Sequence, residues 1–359
     1  MRVGLIVYGN LNTISGGYLY DRQLVRHLRE QGDEVDLISL PWVSYGRHLL
    51  HNLDRKLLQR LRDASYDVLL QDELNHPSLF LINRRLPSAA RFPVVSIVHH
   101  LRSSERHKGV QLIIFRWIER LYLQTIDGFI YNSMTTQVAA ETMLGRSRPH
   151  IVAYPAGNPF LAAVDRSYIL KRVYSAGPLR LLFVGNLIPR KGLHVLLTAL
   201  VQLAPDSWQL TAVGDPTLDP TYSRRIKKQA IASGFESQIA WEGQLSDAEL
   251  TQKMADSHLL VVPSSYEGFG IVYLEGMGHG LPAIATTTGA AHEVIDDGET
   301  GFLIAADDAM TLAKRIQVLH EDRPKLARMS LSARERYKRH PSWEASMASV
   351  RHFLTGISR

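Results

Sequence analysis

The chain predicts an α/β protein of two Rossmann-like, doubly wound parallel-sheet domains facing a cleft. Three observations lead there. Its 359 residues exceed one ordinary domain. Short apolar runs alternate with longer amphipathic stretches, the pattern of parallel strands joined by right-handed crossovers. That alternation restarts near residue 179, so the unit occurs twice.

The first unit opens with the buried-type strand Arg2–Tyr8, and Gly16–Gln31 reads as a helix ended by Gly32. Strand Val35–Ser39, helix Asp54–Ala64 and strand Asp67–Leu70 follow. Pro93–His99 is the next strand, then a helix within Val110–Thr125 and a strand at Gly128–Asn132. A weak seam falls at Asn158–Gly177. In the second unit, strand Leu179–Val184 enters the loop Gly185–Gly192, and Leu193–Leu203 is a helix. Strand Gln209–Val213, helix Thr221–Ser233, strand Ile239–Trp241 and helix Asp247–Ala255 continue the alternation. It closes with strand His258–Val262, helix Ile271–Gly278, strand Pro282–Thr286 and helix Met310–Leu319. Ala327–Leu354 is helical in pattern but contains Pro341, which ends or kinks a helix. The expected division is a first Rossmann-like domain over 1–165, a second over 166–335, and a helix over 336–359 that returns to the first domain.

Composition narrows the chemistry. Hydrophobic residues make up 45% and charged residues 21%, an ordinary globular balance. There is no cysteine, which excludes disulfides, thiolate catalysis and cysteine-ligated metals. Neither a signal peptide nor an apolar run of membrane-spanning length is visible, so a cytoplasmic protein is expected. Residues 1–175 hold 22 Lys and Arg against 15 Asp and Glu, a balance of +7, whereas 176–359 balance at −1. A basic first half suits a phosphorylated acceptor, an anionic membrane surface or a solvated basic face. Within it, Arg102–Tyr122 mixes Arg106, Lys108, Arg116 and Arg120 with Ile113, Ile114, Phe115 and Trp117. This reads either as a peripheral contact with the inner face of a membrane or as a core-facing amphipathic helix. No aromatic-basic platform points to nucleic acid.

Ligands of open α/β sheets bind beyond the carboxyl ends of the strands, so the loops there carry the functional reading. After the first strand of the second unit comes Gly185-Asn186-Leu187-Ile188-Pro189-Arg190-Lys191-Gly192. Arg190 and Lys191 precede a helix N-terminus, where a fork of donors, a point charge and free N–H groups suit a diphosphate. After His258–Val262 comes Pro263-Ser264-Ser265-Tyr266-Glu267-Gly268-Phe269-Gly270, leading to Glu275. The glycines admit close backbone approach, and Glu267 and Glu275, two helical turns apart, suit paired hydroxyls. Gly16-Gly17 opens a helix in the first unit, without the G-x-G-x-x-G of dinucleotide folds.

The segments VGNLIPRKGLHVLL, PSSYEGFGIVYLEGMGHGLPAIATTTGAAHEVI and DDGETGFLI, in this order, resemble the retaining family-4 glycosyltransferases (glycosyl transferases group 1) of GT-B fold. The likeness spans most of residues 179–305 and includes the Glu-x7-Glu of Glu267 and Glu275. The first unit matches more loosely, through Gly16-Gly17, His99 and IERLYLQTIDGFIYNS.

The resemblance implies a transfer of sugar from a UDP- or GDP-sugar to a hydroxyl acceptor, a glycan or lipid-linked molecule of polysaccharide or cell-envelope synthesis. It assigns Arg190 and Lys191 to the donor diphosphate, and Gly185 and Asn186 to the same loop. Glu267 with Gly268, Phe269 and Gly270 would hold the donor sugar, and Glu275 the ribose. Gly16 and Gly17 would close over the phosphates. His99, with His100 as rival, would sit on the sugar and acceptor side. It implies no bound metal, and no Asp-x-Asp motif occurs in a strand-end loop. Leaving-group charge would fall to Arg190, Lys191 and the helix dipole. Gly276 and Gly278 stand where relatives commonly have alanine, and Asn186 where a larger or charged residue is frequent. A nucleotide-sugar epimerase of the same fold and a non-catalytic sugar-nucleotide-binding relative are the alternatives.

Overall fold

The computed structural model describes residues 1–86, 92–107, 109–157 and 164–358. It divides into two compact units, Met1–Pro155 with Pro341–Arg359, and Ala156–His340. Lys108 and the opening of the seam at 158–163 lie outside the described residues.

The first unit runs β1 (Arg2–Tyr8), α1 (Gly16–Glu30), β2 (Glu34–Leu40), α2 (Tyr45–His48), α3 (Arg55–Asp63), β3 (Val68–Asp72), α4 (His76–Arg85), β4 (Val94–Val98), α5 (Val110–Leu123), β5 (Gly128–Tyr131), α6 (Met134–Leu144) and β6 (His150–Val152). Its six parallel strands lie in the order β2-β1-β3-β4-β5-β6. β3 and β4 are wholly buried along their lengths, which is why their sequences are mostly apolar, with Ser96 the one polar residue of β4 and Gln71 and Asp72 closing β3. The chain leaves β1 toward β2, then returns to place β3 on the other side of β1. That reversal opens a crevice beyond the carboxyl ends of β1 and β3.

The second unit runs α7 (Arg166–Val173), β7 (Leu179–Val184), α8 (Leu193–Leu200), β8 (Trp208–Val213), α9 (Pro220–Ala232), β9 (Ile239–Gly243), α10 (Asp247–Asp256), β10 (Leu259–Val261), α11 (Ile271–Gly278), β11 (Ala283–Thr286), β12 (Gly301–Ile304), α12 (Ala309–Glu321) and α13 (Arg323–Arg339). Its parallel sheet is ordered β12-β11-β10-β7-β8-β9. The reversal here lies between β7 and β10, the two strands whose following loops hold the candidate donor residues.

The interrupted segment resolves into two helices. α13 ends at Arg339, and α14 (Trp343–Ile357) begins after Pro341 with Ser342 as its N-cap, the hydroxyl accepting from Ala345 N. α14 belongs to the first unit: Ile357 and Phe353 pack where a side chain on Gly128 would stand. Arg351 donates to the buried Asp33 carboxylate, Nε at 2.7 Å from Oδ2.

α5 presents two apolar faces. Phe115, Ile118, Tyr122 and Leu123 point into the core. Val110, Ile113, Ile114 and Trp117 point out, 70, 67, 45 and 62% exposed. The spacing i, i+3, i+4, i+7 therefore makes one continuous outward stripe. Phe115, grouped with the stripe on sequence, is instead a core residue, because it lies on the opposite side of the helix.

Candidate functional site

The loops after β7 and β10 are joined by close backbone contacts that only glycine permits. Gly192 has φ +75°, and a Cβ there would stand 2.1 Å from the Pro263 carbonyl oxygen. Beside it Ser265 N donates to Arg190 O at 2.8 Å, and Arg190 Nη1 donates to Tyr266 O at 3.0 Å. Lys191 Nζ reaches Glu267 Oε2 at 2.7 Å, both side chains about one-seventh exposed. A third loop supports Glu267 from behind. Gly289, with φ +80°, pairs with it, and Ala290 N donates to Glu267 O at 2.9 Å. Gly268, Phe269 and Gly270 continue from Glu267. Phe269 is buried, and Gly270, with φ +92°, starts α11. Gly185 and Asn186, partly exposed, precede Arg190 in the loop after β7.

Burial pushes Glu267 up, but the Lys191 and Arg190 charges more than offset it and hold the carboxyl below its usual range. It is a carboxylate at neutral pH. Glu275, in the second turn of α11, is partly buried and has no hydrogen bond among the described residues. Burial, helped by Asp247, pushes it up to about 7. One carboxylate is thus already paired, and the other is available for a ligand's hydroxyls.

In the first unit, Gly16 is exposed and Gly17 packs against His99. A Cβ on Gly17 would stand 3.0 Å from His99 Cδ2. His99 Nε2 lies 3.1 Å from Asp21 Oδ1. His100 Nε2 lies 3.2 Å from Glu105 Oε1. The candidates therefore fall into two groups, each inside one unit. Arg190, Lys191, Glu267 and Glu275 share the second, and Gly16, Gly17 and His99 the first.

Sequence reasoning missed a set of buried ionisable residues beneath the first group: Asp21, Asp72, Glu73, His76 and Glu119, each at most 1% exposed. A signal was present in Asp72-Glu73-Leu74-Asn75-His76, a polar run directly after an apolar strand. Burial drives Glu73 up to about 8, Glu119 to about 7, and His76 down to about 4. Two trios, Asp21 with Asp72 and His99, and Glu73 with His76 and Glu119, bring their donor atoms within 4.8 Å of one another. Three of their four histidine nitrogens are engaged, however. His99 Nε2 faces Asp21, and His76 has Nδ1 at the Glu73 carbonyl and Nε2 at the Tyr45 hydroxyl. Within the first trio His99 meets Asp21, whereas in the second Glu119 accepts from Ser103 N and Glu73 Oε1 has no hydrogen bond among the described residues.

Residues 171–336 match the family described as glycosyl transferases group 1. Over its whole length the chain is 26% identical to a phosphatidyl-myo-inositol mannosyltransferase of Mycolicibacterium smegmatis, across 94% of that protein. Among solved structures it superposes with TM-score 0.84 on a sucrose-phosphate synthase from Thermosynechococcus elongatus, at 21% identity over 99% of this chain and 98% of that one. A structure of Anabaena HepE in complex with UDP-glucose gives TM-score 0.77 at 21% identity, over 99% and 100%. The fold is that of these GT-B proteins, and Arg190, Lys191, Glu267 and Glu275 all lie inside the matched span. The match to the glycosyl transferases group 1 is thus carried by residues 171–336, the span that contains the second unit's sheet and its candidate residues.

Proposed function

We propose that the chain transfers a sugar from a nucleotide-sugar donor, a UDP- or GDP-sugar, to a hydroxyl acceptor in glycan or glycolipid synthesis, with configuration retained and without a bound metal. The observation that carries this reading is the buried Lys191–Glu267 pair at the β7/β10 switch point, with the unpaired Glu275 on the following helix. Arg190 and Lys191 meet the diphosphate, and their fixed charges take the place a cation would fill. Glu267 and the backbone of Gly268–Gly270 hold sugar hydroxyls, and Glu275 accepts from the ribose diol. In the transfer, the acceptor oxygen bonds to the anomeric carbon on the face from which the phosphate oxygen departs. The acceptor proton passes to that phosphate oxygen, and the negative charge left on the diphosphate faces Arg190 and Lys191. Gly16 and Gly17 are assigned to the donor phosphates, and His99 to the sugar and acceptor.

Thermal shift and isothermal titration against UDP, GDP, ADP and their sugar conjugates, without divalent ions, test the donor site. Selective stabilisation by one nucleotide names the base, and the anomeric coupling constant of the product reports retention. Folded protein that responds to none of them removes the donor assignment. Binding without turnover across varied acceptors favours a non-catalytic relative. Isomerised donor without transfer favours an epimerase.

A second part of the reading is peripheral attachment to an anionic membrane through α5. The outward stripe of Val110, Ile113, Ile114 and Trp117 is flanked by the exposed Arg116 and Arg120, the layout of a helix lying in a lipid interface. Sedimentation with phosphatidylglycerol vesicles should be strong at low salt and weaken as salt rises. Equal sedimentation with neutral vesicles would remove the electrostatic component, and none at low salt would remove the contact.

A further inference from the structure

We infer that Asp21 is a positioning residue for His99: it occupies the Nε2 side of the imidazole and leaves Nδ1 to address the ligand as a hydrogen-bond donor. The role in catalysis rests on the transfer proposed above.

The geometry begins with α1. Gly17 and Asp21 are four residues apart and so lie on one face of the helix, turned toward the end of β4. Gly17 has no side chain, and its Cα comes against the His99 ring; even a methyl group would stand 3.0 Å from Cδ2 and 3.5 Å from Nε2. One turn later the Asp21 carboxyl, wholly buried, meets Nε2 at 3.1 Å. The edge of Tyr20 borders the ring with centroids 5.4 Å apart, and Tyr20 is itself fixed by donating from its hydroxyl to Ala153 O. The main chain of His99 is held too, because Asn132 Nδ2 donates to its carbonyl at 2.8 Å. The ring is therefore confined by α1 and by the loop after β5. Nδ1 is the one ring nitrogen without a hydrogen bond among the described residues, and the side chain keeps 10% of its surface accessible.

Charge settles what Nδ1 offers. Asp21 from α1, Asp72 from the end of β3 and Glu73 just beyond it all face His99. Burial pushes His99 down, but these three carboxyls more than offset it and lift the imidazole to about 9. Asp21 Oδ2 has no hydrogen-bond partner of its own, which leaves the imidazolium as that carboxyl's compensating contact among the described residues. At neutral pH both ring nitrogens carry protons. His99 then has no lone pair with which to take the acceptor's proton, and acts by donating Nδ1–H to a sugar hydroxyl or phosphate oxygen.

The test begins with a measurement independent of catalysis. In protein carrying ¹⁵N-labelled histidine, long-range ¹H–¹⁵N spectra report the protonation of each ring, and comparison with His99→Gln assigns the His99 signals. His99 should be doubly protonated at pH 7 and titrate near 9, and in Asp21→Asn its midpoint should fall below 7. A neutral His99 at pH 7 in the unsubstituted protein, which needs no variant to fold, overturns the proposal. So does an unchanged midpoint in Asp21→Asn. The second measurement is the pH profile of turnover with UDP-glucose or GDP-mannose, whichever stabilises the chain. Asp21→Asn should lower kcat more than tenfold at pH 8 with less than a threefold change in donor KM, and move the alkaline limb down by two pH units or more. A folded variant with an unshifted limb sinks the catalytic half. If neither nucleotide sugar binds, the donor reading fails while the spectra still decide the Asp21–His99 relationship.

Discussion

Lys191 Nζ stands 2.7 Å from Glu267 Oε2, a cation from the loop after β7 closed onto a carboxylate from the loop after β10. Each is mostly buried, so each supplies the charge the other needs away from water. Replacing Lys191 with Ala should weaken donor binding by about 1.5–3 kcal/mol and lower stability by a comparable amount, since Glu267 is left buried without its main partner. A Lys191→Ala/Glu267→Gln double variant should regain much of the stability and none of the donor binding. Titration calorimetry with unfolding curves on the three proteins checks both, and unchanged donor affinity in Lys191→Ala would take that residue out of the site.

Glu275 gives the proposed donor site a pH signature. Its carboxyl ionises near pH 7 in the folded chain, well above the ordinary value. A raised acid favours the folded state while protonated, so its stabilising contribution declines as pH rises from the unfolded value through 7. Ligand binding runs the other way, because only the ionised form accepts from both hydroxyls of a diol. Nucleotide affinity should therefore rise about tenfold between pH 6 and 8 and level off above. In Glu275→Gln the slope should vanish. A flat profile in the unsubstituted protein would separate Glu275 from the ribose.

Gly289 and Gly298 have nearly the same backbone, φ +80° and +81°, yet different surroundings. A Cβ at Gly298 meets nothing within 4 Å, whereas at Gly289 it would stand 2.0 Å from the Glu267 carbonyl oxygen. Gly298→Ala should cost about 1 kcal/mol, the strain of the left-handed conformation alone. Gly289→Ala should cost about 3 kcal/mol or more and displace Glu267, so donor binding falls as well. Chemical denaturation of the pair distinguishes strain from collision; equal losses would contradict the close approach.

The two faces of α5 separate in the same way. Ile113→Ser with Trp117→Ser should change stability by less than about 1 kcal/mol, because both side chains are already in solvent. Phe115→Ser should cost about 3 kcal/mol or more, removing a buried ring. Vesicle binding should be lost in the double variant. A large destabilisation by the Ile113 and Trp117 changes would instead mark the outward stripe as part of the fold.

Periodicity and turn signals made most strands legible, because parallel strands buried on both faces leave runs such as Val94–Val98. What stayed hidden had weaker signals. β12 at Gly301–Ile304 sits behind the acidic turn Asp296-Asp297-Gly298-Glu299, and its first residue is a glycine. That glycine lies against Ala283, where a Cβ would stand 2.1 Å from the carbonyl oxygen, so its presence reflects packing between strands. β6, at three residues, and the helices α4, α6 and α7 were likewise not read. For the site, the loops after β7 and β10 were legible since their glycines and charges occur together. The choice between His99 and His100 was not, because it depends on which ring meets Gly17 and Asp21, residues some 80 positions away. The buried carboxyls of Asp72, Glu73 and Glu119 escaped for a related reason. Sequence spacing does not report depth.

The Arg351–Asp33 contact joins parts of the first unit separated by 318 positions, with the whole second unit between them in the chain. During synthesis the six-stranded sheet of the first unit is complete in sequence once β6 has emerged, but α14 is still unmade. At about 5–20 residues per second, the interval before Pro341 appears is roughly 10–40 s. Throughout it Asp33 lacks its arginine and the surface beside Gly128 lacks Phe353 and Ile357, while the second unit has all of its own residues by His340. The order of completion thus reverses the order of translation, and a ribosome released before the last helix would leave a first unit with an apolar face open to chaperones.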